Sequence, residues 1–237
     1  MKLALGFLLT LLALALPAPE VQDEAARFLE GAERERFLDQ LEARMSARKT
    51  VAAEFEQEKV MSLFEDTLRT RGAILFSSPD KLRWETQAPF QSILVVAGDA
   101  VAKFEFVSGE RRALELGRAK EPLLDVMNQI RGWFLGRFDR RQKTYRLRVT
   151  LEPQPLIVLE PVDAGLRKSL AALEVTLTST LDAVSRVVVL ERGGDRTTMT
   201  FHEKWRDVVI PAAYFDLEDP HPLDLEALLA SQERAGR

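Results

Sequence analysis

The sequence predicts a mainly β protein of the α+β class: a largely antiparallel sheet that curls into a barrel or part of one, with helices laid on a sheet face. Three observations predict it. Ten or so short segments alternate apolar and polar residues at period two. The breaks between them carry turn residues at roughly 8–12-residue spacing. Two stretches of helical spacing precede and interrupt the strands, and helices so placed cover a sheet face.

In chain order, residues 22–49 read as the first helix, with Asp23 near its start. Phe28, Phe37, Leu38, Leu41 and Met45 fall roughly three and four apart among Glu and Arg. At Val51 the period becomes two, with Val51, Ala53 and Phe55 alternating against Ala52, Glu54 and Glu56. Strand segments follow at 71–77, 81–86, 91–97, 100–107 and 111–116, broken by Ser78-Pro79-Asp80, Ala88-Pro89, Gly98-Asp99 and Ser108-Gly109. The second helix occupies about 121–137. Pro122 suits its first turn, and Leu123, Met127, Ile130 and Phe134 form one face at i, i+4, i+7 and i+11. Strands resume at 145–151, 156–160, 172–179, 186–192 and 196–203, with a hairpin turn at Gly193-Gly194-Asp195 and a last strand near 206–210. Leu225, Leu228 and Leu229 mark a short charged helix in a C-terminal appendix.

Residues 1–16 begin with Lys2 and continue almost wholly apolar from Leu3 to Leu16. Fourteen residues rise about 21 Å as a helix, short of a hydrocarbon core of about 30 Å. The segment reads as an export signal, with Ala13-Leu14-Ala15 as a small-x-small cleavage pattern. Three domains are expected: a signal at 1–18, a folded domain at 19–216 and the appendix at 217–237. The remaining chain reads as soluble and exported.

Of the 237 residues, 33 are Lys or Arg and 37 are Asp or Glu, giving a net charge of −4 that argues against a nucleic-acid partner. With 46% apolar and 30% charged residues, the composition is that of a globular protein rather than a disordered one. Cysteine is absent, which removes disulfides, thiolate metal sites, cysteine nucleophiles and lipidated cysteine together. His202 and His221 are the only histidines, too few for a multi-histidine metal centre. No G-x-S-x-G elbow, glycine-rich phosphate loop or H-E-x-x-H occurs, so an enzyme is not expected, nor a cofactor. His202 points away from the face of Met199 and Phe201. Asp216, Glu218, Asp219 and His221 read as a solvated turn, and Glu54, Glu56 and Glu58 as a water-facing strand edge. Arg140, Arg141, Lys143, Arg146 and Arg148 form the one basic run, read first as a solvent face and second as a dock for an acidic partner or membrane. Leu82 and Trp84 share a strand face, as do Phe104 and Phe106. With Phe55, Leu75 and the 123–134 stripe they make either a packed core or an apolar hollow, and periodicity leaves both open.

The ordered motifs resemble the LolA family, periplasmic carriers of outer-membrane lipoproteins. Phe55-Glu56-Gln57 is similar to the family's F-x-Q. Gly72-Ala73-Ile74-Leu75-Phe76 and Ser78 to Glu85 are similar to its G-x-L-x-F and P-x-x-L-R-W stretch. Pro89, Ile93-Leu94-Val95 and Gly98, then Gly194 to Phe201, then Ile210-Pro211 with Phe215 follow in the family's order, over about 50–216. The resemblance implies an incomplete β-barrel, a half-barrel covered by a helical lid around an apolar cavity. It implies a monomeric carrier that takes an acylated lipoprotein from an inner-membrane ABC exporter to an outer-membrane receptor. Carriers of another lipid, glycolipid or polyene, and lipid-sensing regulatory modules, share the fold. On this resemblance the cavity is lined by Phe55, Leu75, Leu82, Trp84, Phe104, Phe106, Leu123, Met127, Ile130 and Phe134. The family's lid-tying arginine before the motif proline is Ser78 here, and Arg83 is the substitute lid contact.

Overall fold

The computed structural model describes residues 27–63 and 66–235, so the expected signal at 1–18 lies outside the described residues. Alternation in the sequence becomes one antiparallel sheet. Its strands are β1 (Thr50–Val60), β2 (Thr67–Ser77), β3 (Lys81–Ala88), β4 (Ser92–Ala97), β5 (Ala100–Val107) and β6 (Glu110–Leu114), then β7 (Tyr145–Thr150), β8 (Leu156–Pro161), β9 (Leu170–Leu177), β10 (Val184–Glu191) and β11 (Arg196–Arg206). The spatial order is β6-β5-β4-β3-β2-β1-β11-β10-β9-β8-β7. The chain meanders outward from β1 to β6, crosses to the far edge, and meanders back until β11 pairs with β1. The edges β6 and β7 never pair, so the barrel stays open. The helix α2 (Lys120–Phe134) is the crossover between those two edges.

The other expected helix is shorter than 22–49. α1 runs Gly31–Ser46 and buries Phe37, Leu38, Leu41 and Met45. Ahead of it the backbone is claimed by an edge strand: Phe28 bridges Thr150, and the Leu29 N–H donates to the Val149 carbonyl at 2.7 Å. Arg148 of β7 completes that contact, with its guanidinium 4.3 Å above the Phe28 ring. The separate strand expected at 206–210 does not form: β11 ends at Arg206 and residues 207–210 are irregular. The chain turns away at Asp207, which has φ +54 and accepts the Lys49 N–H.

Because strand side chains alternate, the sheet has two apolar faces, and each finds a cover. On the inner face, Leu147, Val149, Ile157, Val175 and Val187 pack with α1, while Val51, Ile74, Phe76, Leu82 and Val96 pack with α2. On the outer face, Ala73, Leu75, Ile93, Val95 and Phe104 pack under Phe215 and under Leu225, Leu228 and Leu229 of α3 (Leu225–Ala235). Burying each large side chain stabilises by about 1.5–3 kcal/mol.

A buried ion pair holds the outer cover. Arg83 and Glu85 lie two apart on β3 and so share a side, with Arg83 fully buried. The Arg83 Nε donates to the Glu85 carboxylate at 3.0 Å. Its Nη1 donates to the backbone carbonyls of Tyr214 at 3.0 Å and His221 at 2.7 Å. The pair by itself is near break-even against desolvation, and the two carbonyls consume donors that would otherwise be stranded. This corrects the expectation that Arg83 touches the lid. Leu82 and Trp84 point inward, so alternation sends Arg83 to the opposite side of the sheet from α2.

Gly72 shapes the inner face. A Cβ there would stand 1.9 Å from the Glu85 carbonyl oxygen and 2.8 Å from the Phe55 ring. The bare backbone leaves room for Phe55, directly opposite in register, to lie across β2 and reach Trp84 at a ring separation of 4.8 Å.

Gly72→Ala should destabilise the fold by about 3 kcal/mol in urea titration, the upper end for overpacking. Arg83→Ala leaves Glu85 buried and unpaired and should lower stability by about 3–5 kcal/mol. Amide exchange should then rise first at 212–229, and α2 should keep its protection.

Candidate functional site

α2 is built to lie on apolar surface. Pro122 falls in its first turn, where its missing N–H is no loss. Leu124, Met127 and Trp133 are buried, and Leu123, Ile130 and Phe134 are half-buried beside them. Ile130 touches both inner clusters, and Trp133 belongs to the one formed by α1. Trp133 stacks on Phe138 with 6.3 Å between ring centres.

Phe134 is the centre of the arrangement. It stacks on Phe76 at 5.8 Å and meets Phe201 edge-on at 6.2 Å. Phe201 in turn meets Trp84 edge-on at 6.3 Å. Two small voids flank this aromatic group. One, of about 20 Å³, is walled entirely by apolar side chains, among them Trp84, Ile130, Trp133, Val187 and Met199. The other, of about 10 Å³, lies by Met45, Val51 and Ala53, with Arg48 and Asp182 at its rim. Phe134, Val184 and Phe201 are walls of both. Each void holds about one water molecule by volume, so the side chains of α2 fill nearly all the space between it and the inner sheet face.

Polar ties gather at the C-terminal half of α2 and just after it. Arg131 donates to the carbonyls of Asp80 and, at 3.1 Å, Gly98, in two adjacent turns. The Gln129 side chain hydrogen-bonds Tyr145, which partly offsets the rise in that phenol's pKa caused by burial. Arg137 and Arg140 pair with Glu42 of α1 at 3.1 and 3.0 Å. Gly136, at φ +68, lies so close to α1 that a Cβ would stand 2.8 Å from the Leu41 carbonyl oxygen. The first half of α2 is held by Leu123, Leu124 and Met127 against the sheet.

The structure divides the residues expected to line one cavity. Phe55, Leu82, Trp84, Leu123, Met127, Ile130 and Phe134 meet on the inner face. Leu75, Phe104 and Phe106 do not: they pack on the outer face beneath the C-terminal segment, with Arg83. The physical reason is strand parity. Ile74 and Phe76 point inward, so Leu75 between them points outward, and the neighbouring strands keep that register. Sequence reasoning missed Trp133, Val184, Val187, Met199 and Phe201 as neighbours of Trp84. The alternation of the four strand residues was visible, but the pairing of β11 with β1, and of β10 with β11, was not.

Other candidates are quiet. Asp216 accepts the N–H groups of Glu218 and Asp219 and closes a turn, and Asp219 pairs with Arg111. His202 is exposed. Among the described residues no three His, Asp or Glu side chains gather as a metal site, and no helix is long and apolar enough to cross a membrane.

Comparison with known proteins places this geometry. Solved structures with a similar fold are remote in sequence. A LolA superfamily protein from Nitrosomonas europaea is 8% identical, with 77% of this chain and 96% of that one covered at a TM-score of 0.41. A DUF1329 family protein from Desulfovibrio piger is 9% identical, with 76% and 96% covered at 0.40. The MucA/MucB complex of Pseudomonas aeruginosa matches at 16% identity, with 78% and 61% covered at 0.40. No curated protein matches the chain. The family model described as outer membrane lipoprotein carrier protein LolA matches residues 46–218, from the end of α1 through the last strand and the turn beyond it, and the chain belongs to the LolA family.

Proposed function

We propose that the chain is a periplasmic carrier that shields the acyl chains of lipoproteins between α2 and the inner sheet face and moves them from the inner to the outer membrane. The observation that carries this reading is the wholly apolar void among Trp84, Ile130, Trp133, Phe134, Met199 and Phe201, beneath the helix that bridges the open barrel. On this reading residues 1–18 are the export signal and 19–216 the carrier domain, the donor is an ABC exporter and the acceptor an outer-membrane receptor. No catalysis is required.

The energetics favour such a device. Each exposed methylene costs about 0.8 kcal/mol, so three acyl chains total tens of kcal/mol in water. The closed hollow is too small for them, so loading must displace the lid. That exchange is nearly neutral, because acyl carbons replace Phe134, Ile130 and Leu123 on the same apolar surface. The Arg131 and Arg137 ties keep the C-terminal end of α2 in place, which makes the N-terminal half the part that lifts. Hand-over then follows differential affinity between donor, carrier and acceptor.

Titration with a triacylated lipopeptide should shift the tryptophan emission, and native mass spectrometry should show one lipopeptide per chain. Trp84→Glu should abolish loading. Because that change also threatens the core, Phe134→Ala is the companion: by joining the two voids it should load at least as fast as the parent chain. A folded parent chain that takes up no lipopeptide overturns the reading, and uptake of free phospholipid alone would reassign the cargo. Arg131→Ala should cost about 1–2 kcal/mol and raise amide exchange in 120–134, since two turn carbonyls lose a charged donor.

A further inference from the structure

Antiparallel pairing puts the β1–β2, β3–β4, β5–β6, β8–β9 and β10–β11 turns at one end of the sheet. Large apolar side chains stand in the open there. Leu63 in the β1–β2 turn is 88% exposed, Phe90 in the β3–β4 turn 80%, and Val107 at the β5–β6 turn 47%. At the opposite end, the β2–β3 and β4–β5 turns present Pro79-Asp80 and Gly98-Asp99, and the exposed apolar side chains are Val209 at 71%, Leu114 at 43% and Leu151 at 41%, none of them at a hairpin tip on β1–β6.

The end that bears Leu63 and Phe90 is cross-braced, and one side of it carries a basic cleft. Ser62 donates its N–H to Asp195 at 2.8 Å and its hydroxyl to the Gly193 carbonyl at 2.9 Å, joining the β1–β2 and β10–β11 turns. Arg192 donates to the Arg167 carbonyl at 2.9 Å, joining the next turn. Beyond it an open cleft of about 520 Å³ is lined by Arg146, Arg167 and Arg192 over Ala171 and Ala172. Among the described residues none of these three arginines has a carboxylate at ion-pair distance, and the cleft's Glu160 is taken by Arg148 at 2.6 Å.

We propose that this end is a docking rim for an anionic lipid bilayer, with Leu63, Phe90 and Val107 entering the headgroup boundary and the arginine cleft holding lipid phosphates. The apolar tips belong to three separate hairpins, and exposed apolar side chains of this kind mark membrane or partner contact. A fluid planar surface accepts separate protruding side chains. The chain as a whole carries −4, so an anionic membrane attracts it only through a local basic face, which fixes one orientation. The rim stands whether or not the hollow takes acyl chains.

The absence of cysteine makes the test direct. Leu63→Cys, Phe90→Cys and Asp99→Cys each give one site for a polarity-sensitive fluorophore. Comparing sites within the same full chain holds any contribution of the apolar segment at 3–16 constant. With phosphatidylglycerol vesicles the reporters at 63 and 90 should shift to the blue, and the one at 99 should stay in water. Arg146→Gln with Arg192→Gln should weaken the half-point about 25-fold, at about fivefold per neutralised arginine. The proposal is overturned by unshifted reporters at 63 and 90, by an equal shift at 99, by an equal response to phosphatidylcholine, or by a response that requires added protein.

Discussion

Everything in this fold follows from a sheet whose two edges never meet. A closed barrel satisfies its own strands and hides its inner face. Here β6 and β7 are joined by a helix instead of hydrogen bonds. The crossover must therefore do two jobs, spanning the gap in the chain and covering the inner face. A helix covers apolar surface through side chains alone, without backbone bonds to what lies beneath. On the proposed function that makes it a removable cover on a permanent floor, which a twelfth strand would not be.

The polar contacts of α2 fit that role. They are few and lie toward its C-terminal end, at Gln129 and Arg131, with Arg137 and Arg140 just beyond. The outer cover differs. Its anchor is a buried guanidinium whose partners include two backbone carbonyls of the segment it holds. Releasing that segment would break two charge-assisted hydrogen bonds, whereas releasing the front of α2 exposes only apolar surface, which a lipid can cover.

Much of this was legible in the sequence. Strand parity at 72–76 and 81–85, the helical stripe at 123–134 and the turn residues between strands all survive in the fold. What parity alone does not supply is which faces meet. Leu75, Phe104 and Phe106 are as apolar as Leu82 and Phe134, and only the cover above each face tells them apart. Arg83 beside Trp84 looked like a site residue because the two are neighbours in sequence, yet neighbours on a strand are the pair that never share a side. The lid's own arginine, Arg131, was hidden because its acceptors are backbone carbonyls, which leave no mark in a sequence. The early start assigned to α1 failed for a related reason: Leu29 found its partner on a strand edge over a hundred residues away.

The region matched to the family stops at residue 218, but the outer face it builds is finished by Leu225, Leu228 and Leu229. The tail and the strands beneath it are thus one hydrophobic unit that spans the family's boundary. A relative without such a tail must carry polar side chains where Leu75, Ile93 and Phe104 stand, or else insert another cover. Substitutions on the outsides of β2, β4 and β5 should therefore travel with the presence or absence of the tail, and a chimaera that exchanges one without the other would inherit a bare greasy flank.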